Sequence, residues 1–235
     1  MITLRDVWYK YGEVIGIREV NVEFDTGINF VIGPNGSGKT TLLKVASTIY
    51  KPYRGKIMID NKDPWENQEL RKTLRRNIVY VHENPILLRG TVLDNLMLPL
   101  IYRGLDEEDA KREALKILDV FGLRHLADKK RGKLSAGQKQ MVSLLRSFVL
   151  KPKYLLLDEP TNSLDLDNRK KVIHYIINNM REATVIIATH DLLLPLELKG
   201  RIFRMNKGSV VEELDVKKFA ERYISVRWWM NDQPQ

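Results

Sequence analysis

Gly33-Pro34-Asn35-Gly36-Ser37-Gly38-Lys39-Thr40 follows the apolar run Ile28 to Ile32 and runs on into Thr41-Leu42-Leu43-Lys44-Val45-Ala46. It fits the phosphate-loop pattern G-x-x-x-x-G-K-[ST] at every fixed position, which makes nucleotide binding the first hypothesis. Three glycines let backbone N–H groups curl round a phosphate chain, and the helix that follows turns its positive end to the anion. In that frame Lys39 reaches the β- and γ-phosphates and Thr40 ligates Mg²⁺. A glycine-rich turn without a ligand is the alternative reading. The apolar strand before the motif and the helix after it weigh against that alternative.

The 235 residues, 43% of them hydrophobic, suffice for one large domain or a domain with a subdomain. No run approaches the roughly 18 to 20 apolar residues that span a bilayer. Arg5, Asp6 and Lys10 stand where a signal peptide would carry its apolar core, so a cytoplasmic location is expected. With no cysteine, disulfides, Cys-ligated zinc and iron–sulfur clusters are excluded, and His82, His125, His174 and His190 have no metal-site spacing. Magnesium on oxygen ligands is the one metal suggested. The net charge of +9 favours anionic partners without naming them. Its densest cluster, Lys129-Lys130-Arg131-Gly132-Lys133, reads either as a solvated loop or as a polyanion contact, and no nucleic-acid motif accompanies it.

Three textures follow one another along the chain. Residues 1 to about 75 hold β-rich runs at Val14 to Phe24, Ile28 to Ile32 and Lys56 to Asp60, with the phosphate-loop helix between. Residues from about 84 to 150 read mainly as helix, at Thr91 to Leu100, Asp106 to Phe121 and Ser135 to Leu150. Tyr154 to Leu157 and Thr184 to Ala188 are unbroken apolar runs of the kind found in central parallel strands, separated by the amphipathic stretch Asp165 to Met180. The expected architecture is an α/β phosphate-loop core with a mainly parallel central sheet, an antiparallel β layer at the N-terminus and a helical insertion.

Asp158 and Glu159 end the strand Tyr154 to Leu157, where one carboxylate can face Mg²⁺ and the next a water molecule. Alone, the pair could equally cap the turn at Pro160. Its company changes the balance: Leu134-Ser135-Ala136-Gly137-Gln138 stands upstream, Ser163-Leu164-Asp165 downstream, and His190 ends the next apolar strand.

With these motifs the chain resembles the nucleotide-binding subunits of ABC transporters from Ile2 to about Leu214. Gly33 to Thr40 corresponds to Walker A, with Thr41 continuing the binding segment, and Tyr154 to Glu159 to Walker B with its catalytic glutamate. Leu134 to Gln138 is similar to the LSGGQ signature, with alanine for the first glycine. Ser163 to Asp165 corresponds to the D-loop, His190 to the switch histidine and Tyr11 to the aromatic residue that stacks on adenine. The Q-loop departs from the pattern, because Glu83 in Val81-His82-Glu83-Asn84-Pro85 stands at the glutamine.

The resemblance implies ATP and Mg²⁺ as cofactors, with Glu159, His190 and Lys39 catalytic and Thr40, Asp158 and Glu83 near the metal. Gly33, Pro34, Asn35, Gly36, Ser37, Gly38, Lys39, Thr40, Thr41 and Tyr11 would bind nucleotide, completed by Ser135, Gly137, Gln138 and Asp165 of a second subunit placed head to tail. It further implies an ABC ATPase domain over 1–214 with a helical subdomain at about 84–150, and a C-terminal helix and tail over 215–235. The implied protein is an ATPase on the cytoplasmic face of a membrane that powers a separate permease, with a second ATPase subunit, identical or not, as partner. No sequence-specific nucleic acid is expected.

Other readings stand beside these. Ser135 can be a helix cap, Tyr11 a core aromatic, His190 part of a helix start with Asp191, and Glu83 a solvent-facing side chain, or His82 can hold the Q-loop position instead. Trp228 and Trp229 are expected to cover an apolar edge. A soluble ABC ATPase acting on nucleic acid or ribosomes is the rival function, and a nucleotide-binding regulator without turnover is a second.

Overall fold

The computed structural model describes residues 1–224, so Trp228 and Trp229 lie outside the described residues. The described residues divide into two compact units, one formed by 1–80, 153–159 and 177–224, the other by 81–152 and 160–176.

The first unit holds two sheets. β1 (Ile2–Tyr11), β2 (Val14–Phe24) and β4 (Arg54–Ile59) form an antiparallel sheet in the order β2-β1-β4. Along β2 the buried Val20, Val22 and Phe24 alternate with exposed Asn21 and Glu23, the period-2 pattern of a strand with one wet face. The larger sheet has the order β5-β6-β7-β3-β8-β9, from β5 (Ile78–Val81), β6 (Tyr154–Asp158), β7 (Thr184–Thr189), β3 (Gly27–Ile32), β8 (Arg201–Asn206) and β9 (Ser209–Leu214). β6, β7, β3 and β8 run parallel, and β9 returns antiparallel to β8. All residues of β6 and β7 are buried, which is why both read as unbroken apolar runs. Each aliphatic side chain so buried contributes about 1.5–3 kcal/mol relative to exposure.

Helix α1 (Lys39–Ala46) packs Leu42, Leu43, Val45 and Ala46 into one core with Ile2, Leu4, Ile57 and Ile59 of the small sheet and Leu156, Ile186 and Phe203 of the large one. The phosphate loop therefore leads into a helix held on both sides. The start of β6 is anchored as well: the Tyr154 hydroxyl donates to Asp60 Oδ1 at 2.5 Å and Lys153 Nζ to Asp60 Oδ2 at 2.7 Å. Burial opposes ionisation of Asp60, yet these hydrogen bonds and the N-terminal amine hold its carboxyl down at about 2.

The second unit contains α3 (Val92–Tyr102), α4 (Glu107–Phe121), α5 (Ala136–Phe148) and the first part of α6 (Leu166–Asn179). On α4, Ala110, Ala114, Ile117, Leu118 and Phe121 form the buried stripe. Sequence reading bounded this helical part at about 84–150. The compact unit also takes in 160–176, because Tyr175 stacks on Phe148 at 4.7 Å and lies 5.2 Å from Phe121, and the Gln140 amide donates to the Pro160 carbonyl at 3.1 Å. Helix α2 (Gln68–Arg75) was not read from the sequence. Its apolar stripe is only Leu74, buried, and Leu70 one turn earlier, half-buried against the same core, too short a pattern to mark a helix among so many charges.

Candidate nucleotide site

Three neighbouring strands of the first unit end at the same level. Ile32 pairs with Thr189 between β3 and β7, and Asp158 pairs with Ala188 between β6 and β7. Gly33, Glu159 and His190, one residue further on, therefore come to one edge, the carboxyl edge of parallel strands where α/β sheets bind ligands. The phosphate loop, the acidic pair and the histidine, about 30 to 150 residues apart in sequence, belong to this one unit.

The loop requires its glycines. A Cβ on Gly33 would stand 2.4 Å from the Met205 carbonyl oxygen and 2.7 Å from Ser37 Oγ. Gly38, with φ of 102°, caps α1 in a left-handed conformation, and a Cβ there would lie 2.7 Å from the Gly16 carbonyl oxygen. Lys39 is buried, and its ammonium folds back on the loop to donate to the carbonyls of Gly33 at 2.8 Å and Pro34 at 3.2 Å. Ser37 Oγ is buried with no hydrogen-bond partner among the described residues. An orphaned hydroxyl inside a loop of this type is what a bound phosphate would satisfy.

Asp158 is 1% exposed, and its Oδ2 accepts the Tyr80 hydroxyl at 2.9 Å. Burial, followed by the charge and hydrogen bond of Asp158, pushes the Tyr80 phenol far above its ordinary range, so it stays a donor. Among the described residues no three His, Cys, Asp or Glu side chains cluster as a metal cage. One buried carboxylate at the sheet edge suits a cation that takes few protein ligands and completes its shell with phosphate and water, as Mg²⁺ does.

Glu159 sits at φ 46°, and its backbone N–H donates to the Ala188 carbonyl at 2.9 Å. Both carboxylate oxygens are engaged: Thr189 Oγ1 donates to Oε2 at 3.0 Å, while the His190 N–H at 3.1 Å and Nδ1 at 2.8 Å meet Oε1. The acid and the histidine singled out from the sequence are thus hydrogen-bonded to one another. His190 does not begin a helix. Asp191 accepts the Leu193 N–H, and α7 (Leu194–Leu198) starts later.

Tyr11 is 44% exposed and its hydroxyl bonds Thr41 Oγ1 at 3.1 Å. Its ring meets Tyr9 edge-on at 5.0 Å, and Tyr9 stacks on Tyr50 at 4.7 Å. Tyr11 therefore combines a packed edge with an accessible surface, and it is tied to the first turn of α1.

The second unit carries the remaining candidates. Ser135 caps α5 in a reciprocal box: its hydroxyl accepts the Gln138 N–H, and Gln138 Oε1 accepts the Ser135 N–H, both at 3.2 Å. The capping reading of Ser135 holds, and it leaves the exposed helix end able to receive an anion. Gly137 lies so close to the D-loop that a Cβ would stand 2.8 Å from the Ser163 carbonyl oxygen. Asp165 caps α6 through the Asn168 N–H at 2.8 Å. Glu83 is exposed, while His82 Nδ1 accepts the Asn84 N–H at 3.0 Å. The basic cluster is partly structural, since Lys129 reaches Gln138 Oε1 at 3.2 Å and Arg131 the Leu87 carbonyl at 2.7 Å.

Sequence reading missed Tyr80 and Thr189, the partners of the two acids. Both lie in strands that read as structural, and the available signal was a hydroxyl within an otherwise apolar run next to the site.

The model of the ABC transporter family matches residues 17–162. A putative ABC transporter ATP-binding protein of Pyrococcus furiosus is 35% identical over all of this chain and 90% of its own length. The lipoprotein-releasing system ATP-binding protein LolD of Bacteroides fragilis is 31% identical over 90% of this chain and its whole length. An ATP-binding cassette solved as a dimer in a post-hydrolysis state with ADP and Pi superposes with a TM-score of 0.81 at 31% identity, covering 92% of this chain and 98% of its own. Nothing in these likenesses supports the nucleic-acid or ribosome alternative. The chain belongs to the ABC transporter ATP-binding proteins and is a nucleotide-binding ATPase that powers a membrane transporter.

Proposed function

We propose that two copies of this chain pair head to tail, each lending its signature to the nucleotide of the other, and that the cycle of closing and reopening drives the permease. The reading is carried by the convergence of Gly33–Thr41, Asp158–Glu159 and His190 at one sheet edge, with no signature residue within that unit. Ser135, Gly137, Gln138 and Asp165 would come from the second copy, where the α5 N-terminus faces the γ-phosphate. Tyr11 would stack on adenine. ATPase activity per subunit is then expected to rise with protein concentration before levelling off. A flat value across a dilution series in which the protein stays monomeric would overturn the pairing.

Within each site, Lys39 and the loop amides of Asn35 to Thr40 would neutralise charge on the transferred phosphoryl group. Asp158 and Thr40 would hold Mg²⁺, which when bound adds charge neutralisation across the phosphates. Glu159 would take the proton of the attacking water. His190, whose Nδ1 already engages Glu159, would present Nε2 to the γ-phosphate. Among the described residues no helix is long and apolar enough to cross a membrane, which suits a peripheral subunit at the cytoplasmic face of its permease.

Glu83 would approach Mg²⁺ in the closed state, where a carboxylate is favourable only near the cation. Glu83→Gln is then expected to keep hydrolysis within about tenfold, some 1.4 kcal/mol in barrier, while raising the Mg²⁺ concentration at half-saturation. Equal half-saturation in the two proteins would remove Glu83 from the metal.

A further inference from the structure

We infer that Tyr80 is the positioning residue for Asp158 as a metal ligand. The inference rests on the assignment of Asp158 to Mg²⁺. Asp158 is the last residue of β6, its backbone fixed by pairing with Ala188 on β7. The neighbouring strand β5 brings Tyr80 to it, and the phenol donates to Oδ2 at 2.9 Å. Both residues belong to the first unit.

The arrangement answers a specific problem. The terminal torsion of an aspartate is soft, so a fixed backbone alone does not fix the plane of the carboxylate. Mg²⁺ demands near-ideal octahedral geometry, and a ligand free to rotate loses affinity for it. A hydrogen bond to one oxygen sets that plane. The donor's chemistry matters too: a lysine or arginine would cancel the negative charge that attracts the cation, whereas a phenol is neutral and leaves it whole. Groups that orient metal ligands in this way typically contribute 10- to 100-fold in metal affinity or activity. Phenylalanine at this position would keep the ring's packing and remove only the donor.

The test measures binding of a fluorescent ATP analogue as MgCl₂ is titrated from an EDTA-treated start, for the full chain and for Tyr80→Phe, Asp158→Asn and the double variant. Tyr80→Phe is expected to raise half-saturating Mg²⁺ about tenfold, leave metal-free nucleotide affinity within about twofold, and have no further effect once Asp158 is asparagine. An unchanged half-saturation would overturn the inference, including in a variant of lowered melting temperature, since that outcome describes a purely structural tyrosine. A lowered half-saturation would overturn it also, because the phenol would then compete with the metal. Asp158→Asn separates the underlying reading: if it leaves half-saturation unchanged, the metal assignment of Asp158 itself fails.

Discussion

Glu159→Gln is expected to lower ATP turnover by about two to four orders of magnitude while the protein still binds MgATP and accumulates as a nucleotide-loaded dimer. Of the two acids at the sheet edge, Asp158 is assigned to Mg²⁺ and Glu159 to the proton of the attacking water, and removing a general base costs about 10²–10⁴ in rate. Glutamine has the same shape, and its amide can still meet Thr189 and His190, which hold Glu159 from both oxygens. It also removes a negative charge from beside the triphosphate, so binding does not weaken. Phosphate release and size-exclusion chromatography with MgATP check both halves. Turnover within tenfold of the parent would take the base role from Glu159.

Lys39→Ala is expected to fail one step earlier, at nucleotide binding. The buried ammonium bonds the Gly33 and Pro34 carbonyls and is the loop's own cation. A charged hydrogen bond contributes about 1.5–3 kcal/mol, so losing two of them to the β- and γ-phosphates weakens ATP binding by roughly 100-fold or more. Calorimetric titration with ATP measures this, and circular dichroism should show an unchanged fold. Affinity within about threefold of the parent, a difference under 1 kcal/mol, would mean that the loop amides alone hold the phosphates.

These two residues were legible because their chemistry forces a local pattern. A phosphate loop must be glycine-rich, must follow a buried strand and must end in Lys39-Thr40, and all of that lies within a dozen letters. Asp158 and Glu159 were legible because β6 is apolar up to the point where it meets the ligand edge. Tyr80 and Thr189 were not, because their roles depend on which strands become neighbours: the order β5-β6-β7 brings a tyrosine to Asp158 and a threonine to Glu159 across some 78 and 30 residues of chain. The extent of the helical unit was hidden for a similar reason. Tyr175 joins Phe121 and Phe148 through a stack that no local periodicity announces. Ser135 shows the opposite case, a residue whose cap role and whose proposed phosphate role ask for the same hydroxyl at the same helix end.

Head-to-tail completion of the site is tested most directly by mixing two defective proteins, Lys39→Ala and Ser135→Arg, each inactive alone. In a mixed dimer one site combines the intact Lys39 of one copy with the intact Ser135 of the other, and the second site carries both lesions. Equal amounts, allowed to exchange, are predicted to recover about a quarter of the parent's ATPase activity if sites act independently, because half the dimers are mixed and each has one intact site. A mixture no more active than the sum of its two parts, in proteins that still form dimers, would contradict the account.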